Sequence, residues 1–143
     1  MVANINWRNS LDEAKERKNE ELNIACQEAI LSGFYHVIDG ERYHFSFDME
    51  AQLNFQGAER LFSMGVIDEV KWTVHREDGR YERITINKEI MDKLSLVILK
   101  HKNDNISKYR DVLLPMVEKA ETVEEVESIT WDSVSLDSIE NQY

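Results

Sequence analysis

Three observations in this sequence predict an α+β fold. Two Asp-Gly pairs, Asp39-Gly40 and Asp78-Gly79, each sit between short runs rich in aromatic and β-branched residues, as β-hairpin turns do. Each of these hairpins is followed by a polar cap and then by apolar residues spaced three and four apart, as in an amphipathic helix. A long charged segment ahead of the first hairpin also reads as helix. The expected architecture is a long N-terminal helix, two antiparallel hairpins forming one four-stranded sheet packed by two helices, and a short C-terminal helix.

The N-terminal helix is predicted to open at Ser10. There Ser-Leu-Asp-Glu places a serine three residues before Glu13, a capping box. It should run to Ser32 and stop at Gly33, where a residue without Cβ accepts a left-handed cap. Its second half carries Leu22, Ala25, Cys26, Ala29 and Ile30 on one stripe and should pack on a core. The first half is charged nearly all round, so it should stand in solvent, held by Glu–Lys pairs, or lie against a partner.

In the first hairpin a two-residue Asp39-Gly40 loop pairs Ile38 with Glu41, His36 with Tyr43 and Phe34 with Phe45. Side chains alternate across a strand, so Phe34, His36, Ile38, Tyr43, Phe45 and Phe47 share one face. Tyr35, Val37, Arg42 and His44 take the other. His36 and His44 therefore point to opposite sides of the sheet and cannot hold one metal ion.

Asp48 should cap a second helix that runs through Met64 and ends at Gly65. Two apolar stripes lie along it: Leu53, Gly57, Leu61 and Met64, then Ala51, Phe55, Ala58 and Phe62. A helix apolar on two sides is expected to be central and buried on both. Gly57 in mid-helix costs about 1 kcal/mol against alanine, which points to close approach of another backbone. In the second hairpin a three-residue loop, Glu77-Asp78-Gly79, sets Val70 opposite Ile86 and Trp72 opposite Ile84. That register makes one face apolar and puts Gly79 in a left-handed bulge position. A two-residue loop would mix the faces. His75 should neighbour Tyr81, with no second ligand beside it.

Asn87 should cap the third helix, with Ile90, Met91, Leu94, Val97, Ile98, His101, Ile106, Tyr109 and Leu113 as its apolar set. Pro115 kinks or ends it. Thr122 to Glu125 form a capping box for a short helix bearing Val123, Val126 and Ile129, with Trp131 just beyond. A shift of 39 positions maps Gly40 to Gly79, Asp48 to Asn87 and Phe55 to Leu94, an internal echo for which coincidence is favoured over duplication because the arrangement is so common. The organisation read from these elements is an N-terminal extension, 1–9, one α+β domain, 10–131, and an acidic tail, 132–143. Val134, Leu136 and Ile139 in that tail are spaced to dock or to stay loose.

Net charge is −11, from 28 acidic against 17 basic residues, and such a surface repels phosphate backbones. No nucleic-acid partner is expected. Solubility explains the charge, as does mimicry of DNA or inhibition of a basic protein. No run reaches the ~20 apolar residues of a membrane span, and the N-terminus has no apolar signal core, so neither membrane nor secretion by a signal peptide is expected. Cys26 has no cysteine to pair with, which suits a reducing compartment and a small core residue.

No phosphate-binding glycine loop, nucleophile elbow, zinc-helix or paired-cysteine pattern occurs. The paired acids Asp12/Glu13, Asp48/Glu50 and Glu124/Glu125 are all helix-start residues, favoured there by the helix dipole. No catalytic, cofactor-binding or metal-ligating residue is assigned, and the protein is expected not to be an enzyme.

One resemblance covers roughly residues 10–132. Gln52, Asn54 and Gly57, the strand tryptophan Trp72, the His101-Lys102 pair on a long helix, and Thr122, Glu124, Glu125 and Trp131 at the end form its pattern. In this the chain resembles a domain of unknown function common in tailed phages and prophages, usually encoded beside or fused to tail-fibre and baseplate proteins. The resemblance implies a non-catalytic structural or assembly adaptor binding a fibre or baseplate protein, or itself. It places the protein in the virion tail, or in the host cytoplasm during assembly. The domain often ends a longer chain, and here only about nine residues precede it, so attachment is expected to be non-covalent. The alternative is a small acidic phage protein that binds and inhibits a host protein, such as a defence enzyme.

Overall fold

The computed structural model describes residues 7–136, with side chains from Ser10 onward. These residues fall into two compact units, one of 29–102 and one of 7–28 with 103–136. The fold is α+β, with one four-stranded antiparallel sheet.

In the unit of 29–102 the turn chemistry sets the strands. Asp39 and Gly40 both take positive φ, +52° and +80°, as a type I′ loop requires. Strands β1 (Phe34–Ile38) and β2 (Glu41–Phe45) therefore pair Phe34 with Phe45, His36 with Tyr43 and Ile38 with Glu41, as expected. Strands β3 (Glu69–Arg76) and β4 (Tyr81–Asn87) pair Val70 with Ile86 and Trp72 with Ile84, the three-residue register. The Arg76 carbonyl accepts from Gly79 N at 2.9 Å, and Gly79 sits at φ +86°. Sheet order is β1-β2-β3-β4, a meander.

Two helices cover the apolar face. Helix α2 (Met49–Ser63) starts where Asp48 Oδ1 accepts from Ala51 N at 2.9 Å. The start of α3 (Lys88–Ser107) is built alike, with Asn87 Oδ1 accepting from Ile90 N at 2.9 Å. The echo of 39 positions is thus a repeat of hairpin, cap and helix, although the first loop has two residues and the second three. The core joins Phe34, Phe45 and Phe47 to Phe55 and Phe62 of α2 and to Met91 and Leu94 of α3. Phe55 is central, 4.5 Å from Trp72 between ring centroids and about 6 Å from Phe34, Phe45 and Phe47.

Two expectations for α2 are overturned. Only the Phe55, Ala58 and Phe62 stripe is buried, while Leu53 is 65% exposed and Met64 61%. Gly57 has nothing within 4 Å of where a Cβ would stand, so no backbone of the described residues approaches it. One sheet face can bury one stripe of a helix, and among the described residues nothing else covers the second.

In the unit of 7–28 and 103–136 the first helix, α1 (Trp7–Leu31), begins three residues before the predicted cap, so Ser10 lies inside it. Its charged half is not simply solvated. Ala14, Lys18, Leu22 and Cys26, four apart, are all buried. The Lys18 stem is covered while its ammonium reaches Glu21 at 2.7 Å, the usual way a long cation lies in a core face. Lys15 Nζ donates to the Glu118 carbonyl at 2.8 Å, Arg17 stands 4.0 Å from Glu127, and the Tyr109 hydroxyl bonds Asn19. The Cys26 thiol donates to the Asn105 carbonyl at 3.4 Å, and burial raises its pKa, so it is a packing residue as expected.

After α3 the chain does not stop at Pro115. Residues Lys108–Leu113 form a π-helical segment, and α4 (Leu114–Lys119) resumes with Pro115 in its first turn. Proline cannot donate to a carbonyl four residues back and crowds it, so it is tolerated where a helix restarts. Ile106, expected in the apolar set, is 40% exposed, and Asp104 and Asn105 are buried in its place. Met91, Leu94 and Ile98 before it, and Tyr109 and Leu113 in the π-helical segment, are buried as expected. Thr122 caps α5 (Val123–Ser128) by accepting from Glu125 N at 3.1 Å, while the Glu125 carboxylate turns back to Glu121 N rather than to Thr122. Val126 and Ile129 are buried. Ile139 and most of the tail, like residues 1–6, lie outside the described residues.

Lys108 is 5% exposed, with its ammonium 4.3 Å above the Trp131 ring. Burial lowers its pKa, and nearby Asp132 opposes that shift. The folded chain thus loses this proton more readily than the unfolded one. Between the lowered value and the ordinary lysine value of about 10.4 the unfolded state binds more protons, so stability should rise with pH there. Urea unfolding at about pH 7.5 and about pH 9.5 should show Lys108→Met losing that rise; an equal slope in both proteins would refute it.

Candidate functional site

The geometry that sets one region apart is a mismatch in strand length. β3 has eight residues and β2 five, and they pair only at Tyr43–Arg76 and His44–His75. From Thr73 back to Glu69, β3 has no strand neighbour on that side among the described residues. Beyond β2 the chain turns away through Ser46 and Phe47 into α2, which lies along the gap. Between α2 and β3 is an open groove of about 670 Å³. Leu53, Asn54, Gly57 and Leu61 line it from the helix, and Lys71, Trp72 and Thr73 from the strand.

The uncovered face of the sheet continues from this groove. The register places Tyr35, His44, His75 and Tyr81 in one row across all four strands. Their ring centroids are 5.0, 5.9 and 4.4 Å apart in that order. This corrects the expectation that His75 has no imidazole beside it: His44 is its cross-strand neighbour. Pairing of β2 with β3 joins residues about thirty apart through a helix, and no local signal announces it. His44 Nε2 bonds the Ser32 carbonyl at 2.9 Å, while His75 Nδ1 is buried with no hydrogen-bond partner.

Two cations of this face are held by neutral hydroxyls. Lys71 Nζ donates to Thr85 Oγ1 at 2.7 Å and Arg83 Nη1 to Thr73 Oγ1 at 2.8 Å. The Arg42 guanidinium lies 3.8 Å from the centre of the Tyr35 ring and also reaches Glu77 at 3.3 Å.

His36 points to the opposite face, as expected, and its pKa is lowered first by burial and then by Lys93. His101 Nε2 bonds the Ile30 carbonyl at 2.9 Å, and its ring packs on Phe34 and Phe47. Among the described residues no three His, Cys, Asp or Glu side chains converge as metal ligands, and no helix is long and apolar enough to cross a membrane.

The residues of the family pattern part into two sets. Asn54, Gly57 and Trp72 come together at the groove, whereas Gln52 ties its side chain to the Phe47 carbonyl at 3.0 Å. Thr122 and Glu125 form the α5 start and Trp131 covers Lys108. The sequence marked Gly57 as unusual, but it held no sign that β3 outruns its neighbour.

No curated protein and no solved structure matches this chain. A family does: residues 13–130 match the domain of unknown function DUF4376, and the chain belongs to that family.

Proposed function

We propose that the protein is a non-catalytic adaptor of the tailed-phage particle, binding a tail-fibre or baseplate protein during assembly, in the host cytoplasm or in the finished tail. The phage assignment comes from the sequence resemblance. Support for binding as the activity comes from the uncovered side of α2, where Met49, Leu53 and Met64 are each more than 60% exposed beside an open groove. Apolar surface gathered in one place on a soluble chain is characteristic of a contact surface.

The test is mass spectrometry of purified virions from a phage encoding this chain, with deletion of its gene in parallel. The protein should be found at a fixed ratio to a fibre or baseplate protein, and the deletion should impair tails. Absence from virions, together with normal tails in the deletion, overturns the proposal. A stoichiometric host protein captured from lysate and released by salt would replace it with inhibition of that host protein.

A further inference from the structure

Where the main chain of β3 points can be read from its pairing with β4. Arg76 N donates to the Arg80 carbonyl at 2.9 Å, so Arg76 turns its polar groups toward β4. In an antiparallel ladder alternate residues do the same. Val74, Trp72 and Val70 therefore face β4, and Thr73 and Lys71 aim their N–H and C=O into the groove, where no strand of the described residues meets them. An unpaired edge is a template for another strand. The wall opposite is α2, whose Gly57 leaves open space where a side chain would stand. A mid-helix glycine weakens the helix, and none of the described residues requires it there. It does admit a second backbone lying between helix and strand.

We infer that this groove takes one extended segment of a partner protein, added as a strand to the open edge of β3, with alternate side chains acidic and apolar. Side chains of an added strand point by turns to the two faces of the sheet. On one face they meet Lys71 and Arg83, whose hydrogen bonds go to threonine hydroxyls rather than carboxylates, so carboxylates complement them. On the other they meet Trp72 and the exposed Leu53 and Leu61, which take apolar groups. Of the acids nearby, Asp48 is occupied in capping α2, Glu50 lies in its first turn at one end of the groove, and Glu69 lies on the Lys71 face at the far end of β3, which leaves Arg83 and the Thr73 side of Lys71 to an incoming carboxylate. The inference rests on the reading of the chain as a binding protein, and it adds the chemistry of what is bound.

The probe is a display library of random peptides about seven residues long, panned on the full chain. Enriched peptides should alternate acidic and apolar residues, and a selected peptide should bind more weakly as salt rises. On binding, amide exchange at Lys71 and Thr73 should slow. Gly57→Leu fills the groove at an exposed helical position, so it should weaken the peptide about tenfold or more without lowering Tm. Enrichment without alternation, an unchanged affinity in Gly57→Leu, or unprotected amides at Lys71 and Thr73 each overturns the inference. Protection that grows with protein concentration in the absence of peptide makes a second copy the occupant and also overturns it. Peptide capture by a protein absent from virions would remove the tail assignment and keep the groove. A protein present in tails that fails these peptide tests would do the reverse.

Discussion

Phe55→Ala should destabilise the protein by about 3–5 kcal/mol, the range for removing a fully buried aromatic ring. The ring is 1% exposed, and it is the point where α2, both hairpins and Trp72 meet. Its loss removes contacts with Phe34, Phe45, Phe47 and Trp72 together, and the sheet behind them cannot collapse into the space. Two residues away, Leu53→Ala should change stability by less than about 0.5 kcal/mol, because that side chain is 65% exposed. Urea denaturation of the pair measures whether α2 is buried on one side. Comparable losses at both positions would mean that the groove side is covered in solution and that the open groove does not exist.

Where the sequence was legible, the determinant was local. Asp39-Gly40 and Gly79 each permit one backbone path, so both hairpin registers followed from turn chemistry within a few residues. Asp48 and Asn87 announced α2 and α3 in the same way, each through a single bond to the amide three residues on. What stayed hidden depended on partners distant in the chain. The row of Tyr35, His44, His75 and Tyr81 exists because β2 pairs with β3, and alternation within either hairpin cannot predict that. Lys18 looked like a surface charge, yet its methylenes complete the four-residue spacing of Ala14, Leu22 and Cys26 once the stem is counted as apolar.

Gly57 is the instructive case for the site. The sequence marked it correctly as a cost to α2, and the natural explanation was crowding by the protein's own backbone. The structure leaves that position open, which moves the explanation from folding to binding. The groove itself was not legible, since it follows from β3 running on to Glu69 beyond His75, where its pairing with β2 ends.

Gly33 provides the second large effect, because a methyl group there meets main chain. Gly33 ends α1 at φ +91°, and a Cβ would lie well inside contact distance of the Phe45 carbonyl oxygen and 2.7 Å from His44 Nε2. The histidine could turn aside, at the loss of its bond to Ser32, but the carbonyl belongs to β2 and is fixed by the sheet. Left-handed backbone alone costs a residue with Cβ about 1–2 kcal/mol. Displacing the strand end adds to that, so Gly33→Ala should lose about 3 kcal/mol or more in urea unfolding. Gly65→Ala isolates the first contribution: φ there is +69°, but nothing lies within 4 Å of the added carbon, so it should lose only about 1–2 kcal/mol. Equal losses at the two glycines would show that the backbone angle is the whole effect, and that the end of α1 does not press on the hairpin as closely as the structure places it.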